Sequence, residues 1–204
     1  MTDVKYPLLV GGEGYTRVAE ISQGGHVYWE VLEYPPAFRS LKVWNLPFTL
    51  KLIMPYTYFF VRMYGEKDQG GYVNSGISVF FARKPLESPN DNLYVPFLPH
   101  FTTKGELCAD TLSLYTPTSP LQGAVGIVNH FWSEGFGIMH NKLDLLMASD
   151  WRVRNPYRWA LLSRMTPQSV LELEMRYFAS AGSHRLKSGD LYLPTDFYES
   201  LKEV

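Results

Sequence analysis

The chain has 204 residues, 46% of them apolar, including 12 Phe, 14 Tyr and 5 Trp. That excludes disorder over most of its length and suits one domain with an appended helical segment. A formal net charge of −1 gives no broad attraction to duplex nucleic acid or to anionic lipid. The single cysteine excludes an internal disulfide and a cysteine-rich zinc site.

In chain order, "MTDVKYPLLVGGEG" lacks the basic region and long apolar run of a secretory signal. "YTRVAEI" and "HVYWEVL" are strand-like and are separated by "SQGG", a hairpin turn. "EYPPAFRS" interrupts the strands with two prolines. "FTLKLIM", 48–54, alternates as a half-buried strand does, and "TYFFVRMYG", 57–65, has the aromatic, β-branched content of a central strand. "EKDQGGYVNSG" reads as a polar loop, and "ISVFFARK", 77–84, as the next strand. "LYVPFLPH" is extended but too proline-rich for a central strand.

Beyond Cys108 the period changes to that of a helix. Ser119 and Pro120 suit a cap and first position, and Leu121, Val125, Val128, Phe131 and Trp132 recur at helical spacing. "NKLDLLMAS" predicts a second helix. "TPQSVLELEMRYFAS", 166–180, predicts a third, with Thr166 as cap, Pro167 just inside and a stripe at Val170, Leu173, Tyr177 and Phe178. Strands first and helices later give an α+β fold, an antiparallel meander of about four strands followed by helices. Residues 1–142 form the core on this reading, with 143–204 a helical extension packed on the same domain. The longest apolar candidate, "LIMPYTYFFV", is short and broken by Pro55, so no membrane span is expected and the location expected is the cytoplasm.

The usual chemical motifs are mostly absent. "GGEG" lacks the lysine and hydroxyl of a phosphate loop and reads as a turn. His26, His100, His130, His140 and His184 do not have zinc-motif spacing, so neither a metal nor any other cofactor is expected. No Gly-x-Ser-x-Gly elbow or marked carboxylate pair occurs. "DWRVRNPYRW" sets Arg152, Arg154 and Arg158 among rings that include Trp151 and Trp159. Such a cluster suits surface packing, a protein interface or single-stranded nucleic acid. Expected partners are proteins or further copies of this chain, and duplex nucleic acid is not expected.

In "LPHFTTKGELCAD", a lone cysteine has two readings. It is a small buried hydrophobe, or it is an accessible thiol in a loop with His100 near the sulfur. The spacing resembles the active-site segment of ubiquitin-conjugating enzymes, more closely the prokaryotic and phage branch of the PRTRC system protein B type. Leu98, Pro99 and His100 stand where that family has its His-Pro-Asn triplet. Gly105, Asp110 and Leu112 keep the family's spacing around Cys108, and Tyr115-Thr116-Pro117 replaces its Trp-Ser-Pro one residue early. "NLYVPF" before and "HFWSEGF" after also match, over roughly residues 46–142. The resemblance implies a thioester relay. An activating enzyme passes the carboxyl terminus of a ubiquitin-like protein to Cys108, and an amine or second thiol then attacks. His100, in place of the family's asparagine, can donate to the oxyanion or tune the thiol, and Asp110 is the third site residue. The alternative keeps the fold and drops the chemistry, leaving an interaction scaffold in a plasmid system or a virion.

Overall fold

A computed structural model describes residues 6–9, 12–43, 49–66, 71–88, 91–94, 96, 117–133, 135–136 and 156–172. The fold is α+β, with two mostly antiparallel sheets and three helices among the described residues. Strands β1 (Leu8–Leu9), β2 (Thr16–Gln23), β3 (Val27–Tyr34), β4 (Ala37–Val43), β5 (Thr49–Met54), β6 (Tyr56–Glu66) and β7 (Gly71–Ala82) come first. Helix α1 (Pro120–Ser133), strand β8 (Gly135–Phe136) and helices α2 (Pro156–Met165) and α3 (Pro167–Leu171) follow.

The main sheet has the order β2-β3-β6-β7, antiparallel throughout. The turn between β2 and β3 uses Gly24 and Gly25 at φ 60° and 71°, a left-handed backbone that glycine adopts without strain. The second sheet joins β4 to β5 antiparallel, while β1 and β8 pair in parallel with separate halves of β4.

The two sheets are one ribbon bent in the middle. Partner numbers add to the same total in both ladders: Val27 faces Tyr64, Tyr34 faces Thr57, Ala37 faces Met54 and Lys42 faces Thr49. The break falls at Pro35 and Pro36 on one strand and at Pro55 on the other. A proline cannot donate to a ladder, so the pairing stops there and the ribbon turns. The expected single meander is therefore corrected: the "PP" interruption is a corner, and "AFRSLKV" beyond it is β4.

Helix α1 lies inside the bend, against β3 and β6 on one side of the corner, β4 on the other, and β7. Ser119 Oγ accepts from the Gln122 backbone N–H at 3.2 Å, and the Gln122 side chain accepts from Thr118 N–H at 3.1 Å. The expected cap is thus in place. Phe131 and Trp132 face the sheet, with rings 5.2 and 6.1 Å from Phe59. Gly123 is on the buried face, and a Cβ there would come within 2.6 Å of Met63 and 2.7 Å of Pro117. The glycine that weakens the helix pattern is what lets the helix approach the sheet. The core runs through Val31, Leu32, Leu52, Phe59, Phe60, Val79, Phe80 and Val128.

Helix α2 is an element the sequence reading did not assign. It closes the free edge of β5: Trp159 Nε1 donates to the Ile53 carbonyl at 3.1 Å, and Ile53 N–H donates to Ser163 Oγ at 3.0 Å. An edge strand left open is a template for unwanted pairing, and here side chains fill it. Helix α3 begins at Pro167 after Thr166 and buries Val170, as expected, although Thr166 makes no side-chain cap bond. The "NKLDLLMAS" helix and positions Leu173, Tyr177 and Phe178 lie outside the described residues. No described helix is long and apolar enough to cross a membrane.

Candidate functional site

Cys108, His100 and Asp110 lie outside the described residues, as do Pro99, Gly105, Leu112 and Tyr115. The structure does fix where their stretch departs and returns. On the near side, Tyr94 forms an antiparallel bridge with Phe81 of β7, with N–H to carbonyl distances of 2.7 and 2.9 Å. Before it, Asp91 accepts from the backbone N–H of Glu87 and Ser88 at 2.8 Å each and pairs with Lys84 at 3.2 Å, which closes the turn out of β7. These donors hold the Asp91 carboxyl below its usual pKa, against the opposing effect of burial. On the far side, the Pro117 carbonyl accepts from Tyr72 N–H at 3.2 Å, and Ser119 caps α1 two residues later. Phe81 and Tyr72 are nearly at opposite ends of β7, so the stretch is tied to both ends of one strand. It leads directly into the helix that carries Phe131 and Trp132.

Behind that helix is a buried polar knot. Arg39 is 2% exposed, and its guanidinium lies 4.9 Å from the Tyr34 ring centre and 5.2 Å from that of Trp132. It donates to the Glu13 carbonyl at 2.8 Å. Tyr34 donates to the Gly12 carbonyl at 3.1 Å, and Gly12 N–H donates to Asn129 Oδ1 at 2.8 Å. Gly12 and Glu13 thereby dock on both α1 and β4. Burial lowers the Arg39 pKa and raises that of Tyr34; stacking on two rings compensates the cation for lost water. A second buried charge, Glu30, is fully enclosed and accepts from Arg17 at 2.8 and 2.7 Å. Desolvation raises its pKa, opposed by Arg17. Both groups hold elements together, and their geometry serves the fold.

The arginine-aromatic stretch is divided. Trp151, Arg152 and Arg154 lie outside the described residues. Trp159 is 2% exposed, 6.4 Å from the Phe81 ring, and closes the β5 edge. Arg158 is exposed on the other face of α2. The sequence reading missed another such group. Trp29 and Arg62 are cross-strand partners in β3 and β6, and the Arg62 guanidinium is 5.7 Å from Trp29 and 5.8 Å from Tyr64. The signal available was a lone charge inside the apolar strand "TYFFVRMYG". Among the described residues no group of three His, Cys, Asp or Glu side chains could hold a metal ion.

No protein-family model, curated protein or solved structure matches the chain.

Proposed function

We propose that the chain is a ubiquitin-conjugating-enzyme-like carrier that holds a ubiquitin-like modifier as a thioester on Cys108, in a bacterial or phage conjugation-like system. One observation supports the reading beyond the motif itself: an antiparallel sheet, the cysteine stretch tied to its last strand, and a capped helix that turns Phe131 and Trp132 to that sheet follow one another in the order the resemblance implies. In the reaction, the Cys108 thiolate attacks the modifier's carbonyl in its thioester with the activating enzyme, whose thiolate departs. An amine then attacks the new thioester, loses a proton, and displaces Cys108 as a thiolate. His100 has the role of donor to the tetrahedral oxyanion, and Asp110 that of a neighbour to the attacking group.

The experiment is to incubate the protein with ATP, a ubiquitin-like protein and its activating enzyme from the same source, and to resolve the products without reductant. The expected product is an adduct that thiols cleave. With Cys108→Ser, either no adduct or a thiol-resistant oxyester is expected. An adduct that survives thiols in the unsubstituted protein, or one that forms equally in Cys108→Ala, contradicts the proposal.

A second reading, an interaction scaffold of the same architecture in a plasmid system or virion, is favoured by the Trp29–Arg62–Tyr64 row. Tyr64 is 42% exposed, and aromatic and arginine side chains are the usual anchors of protein interfaces.

A further inference from the structure

Most edges of the two sheets are occupied. That of β7 holds Tyr94 at Phe81 and the Pro117 carbonyl at Tyr72, that of β5 holds Trp159 and Ser163, and β4 is flanked by β1 and β8. The edge of β2 has no backbone partner except β3 among the described residues. Every residue from 12 to 43 is described, so both flanks of this strand are seen, and Thr16, Arg17, Glu20 and Ser22 are exposed on it. One bond sets the direction of its backbone groups. Gly65 N–H donates to the His26 carbonyl at 2.8 Å, and backbone groups alternate in direction along an antiparallel strand. Tyr28, Glu30 and Leu32 therefore bond toward β6, while Val27, Trp29 and Val31 bond toward Gln23, Ile21 and Ala19 of β2. Between these, Glu20 and Ser22 turn their N–H and carbonyl groups outward. The register shift between Arg17 and Ala19 bends the strand, so the regular part of the edge is 19–23.

We infer that this edge pairs antiparallel with the same edge of a second copy of the chain, with Ile21 on the twofold axis. In that register Glu20 lies opposite the second copy's Ser22, and Ser22 opposite its Glu20. Outward backbone groups then meet outward groups in two doubly bonded pairs. Residues directly opposite share a face, so each Ser22 hydroxyl donates to a Glu20 carboxylate, which has lone pairs left beside its bond from Arg17. The neighbouring registers are worse. Centring on Glu20 sets carboxylate against carboxylate. Centring on Ser22 brings Glu20 against Gly24, whose φ of 60° is no longer extended. A shift by one residue in the pairing sets outward groups against inward ones. One strand thus supplies both halves of the match, which favours a copy over an extended segment of another sequence. Arg17 stays beyond the bend on Glu20 and Glu30, and the bend stops the pairing from running further. The paired stretch is short, so the dimer is weak, with a dissociation constant on the order of 100 µM. The inference does not depend on Cys108 chemistry.

The test is sedimentation of the full chain from about 10 µM to about 1 mM, a span around the expected constant. Reductant is present so that the single thiol does not link copies. A reversible monomer–dimer equilibrium is expected. Ser22→Pro removes an outward N–H that the bonds to β3 do not use, so it should weaken the dimer at least about tenfold and leave the monomer folded by circular dichroism. Ser22→Lys faces the second copy's Glu20 and should tighten the dimer by about two- to tenfold, whereas Ser22→Glu should weaken it. If Ser22→Pro unfolds, the opposite responses of the Lys and Glu variants decide. The proposal is overturned if the chain is monomeric at about 1 mM, if a dimer forms that folded Ser22→Pro leaves unchanged, or if Ser22→Lys and Ser22→Glu shift it in the same direction. It is also overturned if a scrambled peptide of residues 16–23 competes with the dimer as well as the peptide in native order does.

Discussion

At the scale of single residues, two positions set opposing effects against each other. Gly123→Ala gains about 1 kcal/mol of helix propensity. The new Cβ meets Met63 at 2.6 Å and Pro117 at 2.7 Å, and overpacking of this kind costs about 1–3 kcal/mol. The methionine can swing aside. The proline ring cannot, and its carbonyl holds Tyr72 at the end of the cysteine stretch. Urea unfolding should show a net loss of stability, and a variant more stable than the parent would refute the close approach. Glu30 is the other case. Arg17→Ala leaves a fully enclosed carboxylate without its ion-pair partner, which should destabilise the fold by about 1–3 kcal/mol at neutral pH. Glu30 already has a raised pKa from desolvation, and removing Arg17 takes away the opposing effect. A raised carboxyl pKa gives stability that is present at low pH and lost as pH rises through the folded-state value. The deficit of Arg17→Ala should therefore shrink on acidification from neutral toward the ordinary Glu range. A deficit that grows over that interval would contradict the sign.

At the scale of elements, the edge cap of β5 can be tested directly. Ser163 Oγ accepts from Ile53 N–H and donates to the Trp159 carbonyl, so Ser163→Ala leaves a buried donor unmade and should cost about 1–3 kcal/mol. Trp159→Phe removes the bond to the Ile53 carbonyl, and the double variant should cost less than the sum, since both changes open the same edge. Strict additivity in denaturant unfolding would separate the two bonds. The same scale shows what was legible. The β2–β3 hairpin, β5, β6, the second half of β7 and the capped α1 follow from alternation, aromatic content and cap residues. Strand β4 did not, because its inward positions are Ala37, Arg39 and Leu41. An arginine at an inward position breaks the apolar pattern, and the Tyr34 and Trp132 rings and the Glu13 carbonyl help make it tenable there. The first half of β7, with Gly71, Asn74, Ser75 and Gly76, reads as loop; its pairing with β6, across a register shift beside Arg62, is a tertiary effect that overrides local propensity. Helix α2 was hidden because its arginines and rings drew a surface reading. The spacing of Tyr157, Leu161 and Met165 outside and Trp159 and Ser163 inside was available in the text.

At the scale of the whole molecule, the fold class was legible and its division into two sheets was not. A proline pair and a single proline separated by 18 residues give no sign in sequence that they will face one another. Only the shared register across the corner shows that they do. The candidate chemistry is legible in the opposite sense: Cys108, His100 and Asp110 are carried by spacing, while the structure supplies the anchors of their stretch at Tyr94–Phe81 and Pro117–Tyr72. The central claim is that Cys108 is an accessible nucleophile, and reaction of the native protein with iodoacetamide, followed by intact mass, tests it most directly. As the chain has one thiol, each molecule can take one label there. The account predicts labelling of the folded protein at a rate within about tenfold of that in denaturant, since thiolate character and exposure set the rate. A thiol that reacts only after unfolding would contradict it.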